Sequence, residues 1–150
     1  LAIEFRPPKL HSPGTMCNLT SHELIASFDS IALRIENYLR MCAYAAFLLK
    51  HTKPMLEIPG TCRALEVLLS RLTVETEPDF PVAAAKLMFL QESGFVPEAM
   101  GTGGFRQEQI LDSLLEYAVN PECPAPDITE EYRRKLIRWI NELCDYHDLH

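Results

Sequence analysis

Strand signatures are nearly absent from this sequence: almost nowhere do apolar and polar residues alternate in the period-two pattern of a half-buried strand. That lack excludes a sheet as the organising element. No stretch comes near the roughly 20 uninterrupted apolar residues of a membrane-spanning helix, so no membrane partner is expected. No charged, apolar and small-residue succession opens the chain as a secretory leader would. The five cysteines (Cys17, Cys42, Cys62, Cys123 and Cys144) are odd in number, far apart and without a Cys-x-x-Cys pair. This argues against a disulfide framework and against a zinc ribbon.

Catalytic signatures are missing as well. Neither Gly-x-Ser-x-Gly nor His-Glu-x-x-His occurs, and there is no paired-carboxylate pattern. Gly101-Thr102-Gly103-Gly104 lacks the Lys-Ser/Thr ending of a phosphate-binding loop and follows no strand, so it reads as a hinge. Cys144, His147 and His150 are three apart, but a metal site needs ligands from elsewhere and His11, His22 and His51 sit in unrelated contexts. The trio reads as a solvated helix end. Cys62, beside Arg63 in the first turn after Thr61, is the cysteine best placed for a reactive thiolate, although a semi-buried structural thiol is the plainer reading. Neither an enzyme, a cofactor nor a metal is expected.

What is present is an ordinary globular composition, with 47% hydrophobic and 23% charged residues over 150 positions and a mean hydropathy near zero. A chain of this length buries roughly 70% of its unfolded surface in one domain. The expected organisation is an extended Pro-containing arm over residues 1–19 followed by a single helical domain over 20–150. The fold expected is all-α, an irregular bundle of about five helices.

The first helix is expected from Thr20 or Ser21 to Lys50, with Glu23 closing a capping box and Leu24, Phe28, Ile31, Ile35, Tyr38, Cys42, Ala46 and Leu49 on one face. From Met41 to Leu49 it is apolar on every side, which predicts the central helix of the bundle. Unbroken, it would run about 45 Å, so it must bend or project. Thr61 is predicted to cap a second helix carrying Leu65, Leu68, Leu69 and Leu72. Asp79 is predicted to cap a third, with Pro81 in its first turn and Gly94 as its left-handed stop, Phe95 folding back on Leu90. A fourth runs from Phe105 to Val119 and ends at Asn120-Pro121. Asp127 with Glu130 opens a fifth, from Ile128 onward, that turns Tyr132, Leu136, Trp139 or Ile140, and Leu143 inward.

Two Leu-x-x-Leu-Leu stretches, Leu65–Leu69 and Leu111–Leu115, read as core stripes of their helices. The charge layout carries more. Residues 57–131 hold fourteen carboxylates against four cations. Glu75, Glu77 and Asp79 cluster in one loop, and Arg133, Arg134 and Arg138 stand near Trp139. These seven residues are the candidate partner-binding set. A net charge of −7 disfavours nucleic acid and favours another protein, or a basic peptide segment steered to the acidic region.

The function expected is non-enzymatic. The chain reads as an adaptor or scaffold domain cut from a larger cytoplasmic or nuclear protein, binding through a helical groove or an acidic surface. Asn18-Leu19-Thr20 is a glycosylation sequon and supports the alternative, a secreted helical-bundle ligand.

Overall fold

A computed structural model describes residues 2–6, 18–23, 27–53, 57–96 and 105–149. Two short strands, β1 (Ala2–Arg6) and β2 (Asn18–Glu23), pair antiparallel with an irregularity between Glu4 and Phe5. From residue 27 onward the described chain is helical: a 3-10 turn over Asp29–Leu33, then α1 (Ile35–His51), α2 (Pro59–Leu72), α3 (Asp79–Glu92), α4 (Phe105–Val119) and α5 (Glu130–Tyr146). The all-α class and the five helices are as expected.

The long first helix is not. Its predicted start lies in β2, and α1 begins only at Ile35. The capping pair Thr20 and Glu23 thus lies on a strand. Arg34, with φ −119° and ψ 101°, is extended and separates the 3-10 turn from α1, and its guanidinium donates to the Glu75 carbonyl at 2.8 Å. The apolar periodicity continues across this break because Ile31 is buried from the 3-10 turn, so spacing alone could not reveal it.

The centre of the bundle is α3, not residues 41–49. Phe80 to Ala85, Leu87, Phe89 and Leu90 are all buried, and α3 packs against α1, α2, α4 and α5. The run Ala83-Ala84-Ala85 lets neighbours close in: Tyr44 of α1 reaches over it to donate its hydroxyl to the Ala85 carbonyl at 3.1 Å. Phe47 meets Phe89 edge-on at 5.1 Å. On α1 only Asn37, Tyr44 and Phe47 are buried.

Helix ends are closed mostly by side chains from other helices. Glu92, the last residue of α3, accepts from the amides of Gly60 (2.8 Å) and Thr61 (2.6 Å) and from the Thr61 hydroxyl (2.7 Å), so one carboxylate sits on the positive end of α2. Thr61 is therefore not the cap: α2 starts at Pro59, and a β-carbon at Gly60 would lie 2.9 Å from the Met88 sulfur and 3.0 Å from Glu92 Oε1. At the other end of α2, buried Asn37 donates to the carbonyls of Leu72 (2.8 Å) and Glu75 (2.9 Å). Arg71 closes α4, donating from one nitrogen to the carbonyls of Tyr117, Asn120 and Cys123 while its guanidinium lies 3.7 Å from the Tyr117 ring centre.

Two further predicted caps are replaced. Asp79 makes no cap and pairs instead with Arg40 at 2.7 Å, although Pro81 does occupy the first turn of α3. Thr129, not Asp127, caps α5, accepting from the Tyr132 amide at 3.3 Å. The stop after α3 is as predicted: Gly94 has φ +73°, its amide bonds to Gln91, and the Phe95 amide bonds to Leu90 at 2.8 Å. The same six-to-one closure recurs after α5 without a glycine, with Asp148 at φ +55° and the Leu149 amide on the Cys144 carbonyl.

Glu92→Ala is expected to lower stability by about 2 kcal/mol, because it strips three bonds from a charged acceptor and leaves the α2 amides orphaned. Urea unfolding measures this, with Glu57→Ala, an exposed site, as the neutral control. Burial also pushes the Tyr44 hydroxyl well above the ordinary tyrosine value near 10, and raises that of Tyr117 against the opposing pull of Arg71. The folded state then holds these protons more tightly than the unfolded one. The resulting stability is complete below pH 10 and is lost as pH rises beyond it. A phenolate absorbance titration is expected to show Tyr44 and Tyr117 ionising late, with the urea midpoint falling over the same range.

Candidate functional site

The Met41–Leu49 segment, apolar all round, buries one side against α3 and leaves the other to solvent. Tyr44 and Phe47 face inward, while Ile35, Leu39, Cys42, Ala43, Ala46 and Leu49 are exposed. Leu39 is 58% exposed and Leu49 85%. Among the described residues, seven large apolar side chains are exposed, and five of them (Leu33, Ile35, Tyr38, Leu39 and Leu49) lie on α1 or just before it. Scattered exposed apolar residues are ordinary, whereas concentration on one helix marks a contact surface. Cys42, expected on an inward face, belongs to this outer one.

The face leads into a hollow. Where α1 ends and α2 begins, Leu48, Leu49, Thr52, Ile58, Cys62 and Leu65 help line an open, predominantly apolar depression of about 360 Å³. Its position follows from the Glu92 cap, which holds the first turn of α2 against the end of α3. A second depression, about 320 Å³, lies between α1 and α5 over α3, with Arg40, Lys86, Asn141 and Asp145 at its edges and Tyr44, Phe47 and Val82 among its apolar lining. Lys86 donates to Asn141 at 3.1 Å and lies 5.6 Å from the Phe47 ring centre, so its charge is already engaged.

Of the seven charged and aromatic candidates, Glu77 and Arg133 meet each other, and most of the rest engage other groups of the same chain. Arg133 of α5 lies 3.8 Å from Glu77 and 3.9 Å from Glu130, its guanidinium 4.7 Å from the Phe80 ring centre. Asp79 pairs with Arg40, and Arg134 with Glu130 at 3.1 Å. Glu75 contributes its backbone carbonyl, which takes Arg34 and Asn37. Arg138 is exposed, and Trp139 is half-buried against the core. The exposed pairs are worth at most about 1 kcal/mol each. Their effect is to neutralise the acidic loop locally.

The remaining candidates are placed as follows. Cys62 is exposed at the start of α2, but the positive helix end that would favour its thiolate is taken by Glu92. Cys144 is buried, which pushes its thiol up, and His147 packs tilted against Phe95 at 4.6 Å between ring centres. His150 and the Gly101–Gly104 run lie outside the described residues. Among the described residues, no three His, Cys, Asp or Glu side chains converge as a metal site would require, and no helix is long and apolar enough to cross a membrane. In the two leucine motifs, Leu68 and Leu114 are buried and Leu65, Leu69, Leu111 and Leu115 pack on the core. Compared with protein-family models, curated proteins and solved structures, the chain matches none.

The four described cysteines make a direct check of these environments. Under native conditions the exposed Cys42 and Cys62 are expected to react with a thiol reagent, and the buried Cys144 only on unfolding. A Cys62 rate tenfold above the peptide value would restore the nucleophile reading. Mass-resolved alkylation kinetics distinguish the sites.

Proposed function

We propose that this chain is a non-enzymatic protein-interaction module whose contact surface is the outer face of α1 with the adjoining hollow at the start of α2. The supporting observation is the concentration of exposed apolar side chains on that helix. A helix of a water-soluble bundle normally shows one apolar stripe and a polar back. Here the back is apolar over Ile35, Leu39, Cys42, Ala46 and Leu49, and its cover would come from a partner. Burying a fully exposed leucine is worth about 2 kcal/mol, so two or three such side chains contribute roughly 4–6 kcal/mol toward a contact; the rest of the roughly 8 kcal/mol of a micromolar affinity, and the cost of association, must come from the adjoining hollow and its rim.

The proposal extends to an adaptor or scaffold role with another protein as the partner, and this surface supports it. The acidic-surface version has less support, because Glu77 and Asp79 meet cations of the same chain. A cytoplasmic or nuclear setting remains part of the proposal, supported by Cys42, Cys62, Cys123 and Cys144 all being free thiols.

Affinity capture from cell lysate tests the surface. Leu39→Glu and Ala46→Glu, both at exposed positions, are expected to leave the circular dichroism spectrum and Tm unchanged and to lose bound protein at least tenfold. Triple reversal of Glu75, Glu77 and Asp79 to Lys is expected to change capture far less. Identical capture profiles for wild type and both α1 variants would refute the proposal.

A further inference from the structure

The exposed face of α1 is complementary to itself, and from this we infer that its occupant is a second copy of the chain, docked antiparallel about a two-fold axis at Cys42. The inference rests on the α1 face being a contact surface and adds the identity of what covers it. Ile35, Leu39, Cys42, Ala46 and Leu49 are spaced four, three, four and three residues apart, the 3.5-residue period that keeps a seam facing one partner helix. Over α1 that seam runs about 21 Å at 1.5 Å per residue.

Direction follows from what sits at each end. The large exposed groups Leu33, Ile35 and Leu39 stand at the N-terminal end, and the apolar hollow of about 360 Å³ opens at the C-terminal end beside Leu49. Turning a second copy through 180° about Cys42 sets Leu39 against Ala46, where bulk meets space on both sides of the axis, and Ile35 against Leu49, where two exposed apolar side chains cover each other. Leu33 of each copy then lies over the hollow of the other. A parallel arrangement would place bulk against bulk and hollow against hollow.

Charge selects the same direction. Glu36 is exposed at the start of α1, whereas Lys53 is exposed just beyond its end. The antiparallel pairing brings each Glu36 to the partner copy's basic end and opposes the two helix dipoles. Of the cations at the N-terminal end, Arg40 is offset by Asp79, whereas Arg34 keeps its charge while donating to the Glu75 carbonyl. Such a contact is isologous and therefore closes at two copies. Its area is that of one helix face and one hollow, at the small end of specific interfaces, so a reversible dimer is the expected state.

The axis at Cys42 provides the test. A chain keeping Cys42 and carrying serine at the other four cysteines should run at twice the 17.1 kDa monomer mass by light scattering, at roughly 100 µM where modest interfaces associate. Mild air oxidation with a copper catalyst should convert it to a Cys42–Cys42 disulfide. Both signals should fall at least tenfold in Ala46→Glu and in Leu39→Glu, with helical content unchanged. A monomer that does not cross-link overturns the inference, as does a dimer that survives both substitutions. If the chain is monomeric while the same substitutions still strip another protein in lysate capture, the second copy is refuted and the interaction surface stands. Loss of neither refutes both.

Discussion

Burying α3 on every side is the constraint from which the remaining architecture follows. Nine of its residues are withdrawn from water, including both aromatic side chains, Phe80 and Phe89. Four helices have to be arranged around a rod only fourteen residues long, and no neighbour can rely on a long uninterrupted contact. Short helices have a high proportion of unsatisfied terminal groups, four amides and four carbonyls per helix. The structure meets that demand across the packing interfaces: Glu92 on the start of α2, Asn37 on its end, Arg71 on the end of α4.

This explains which parts of the fold were legible. Local signals were read correctly: Gly94 as the left-handed stop of α3, Asn120-Pro121 as the end of α4, Pro81 in a first turn, the helical class itself. Caps assigned from nearby Thr61, Asp79 and Asp127 failed. In each case another group held the terminus or was better placed: Glu92 from thirty-one residues away for α2, Thr129 two residues on for α5, and Arg40 diverting Asp79. Nothing in a linear sequence marks Glu92 or Arg71 as a cap. Most of their partners are backbone atoms, which have no residue type.

The misreading of α1 has a different origin. An all-apolar helix segment states that both sides avoid water and is silent on what covers each. The poly-alanine run of α3 and the Met41–Leu49 segment look alike by hydropathy, yet only the first is surrounded. The break in the helix at Arg34 was equally hidden, since a 3-10 turn and an α-helix both return a side chain to one face within three or four residues. The two apolar segments differ in side-chain size: α3 places small residues where neighbours approach, whereas α1 keeps leucines on the side that meets none.

Cross-capping also bears on how the chain acquires its shape. Bonds from Asn37 to Leu72, from Glu92 to Thr61 and from Arg71 to Cys123 span 35, 31 and 52 positions, so none can form while its helix is alone. Isolated segments of fourteen or fifteen residues are marginal in water. Order must therefore arrive by mutual docking, with frayed ends sealing last, and the helices have little reason to persist separately once one has left. Such a body melts in a single step, and proteases find few halfway states to cut.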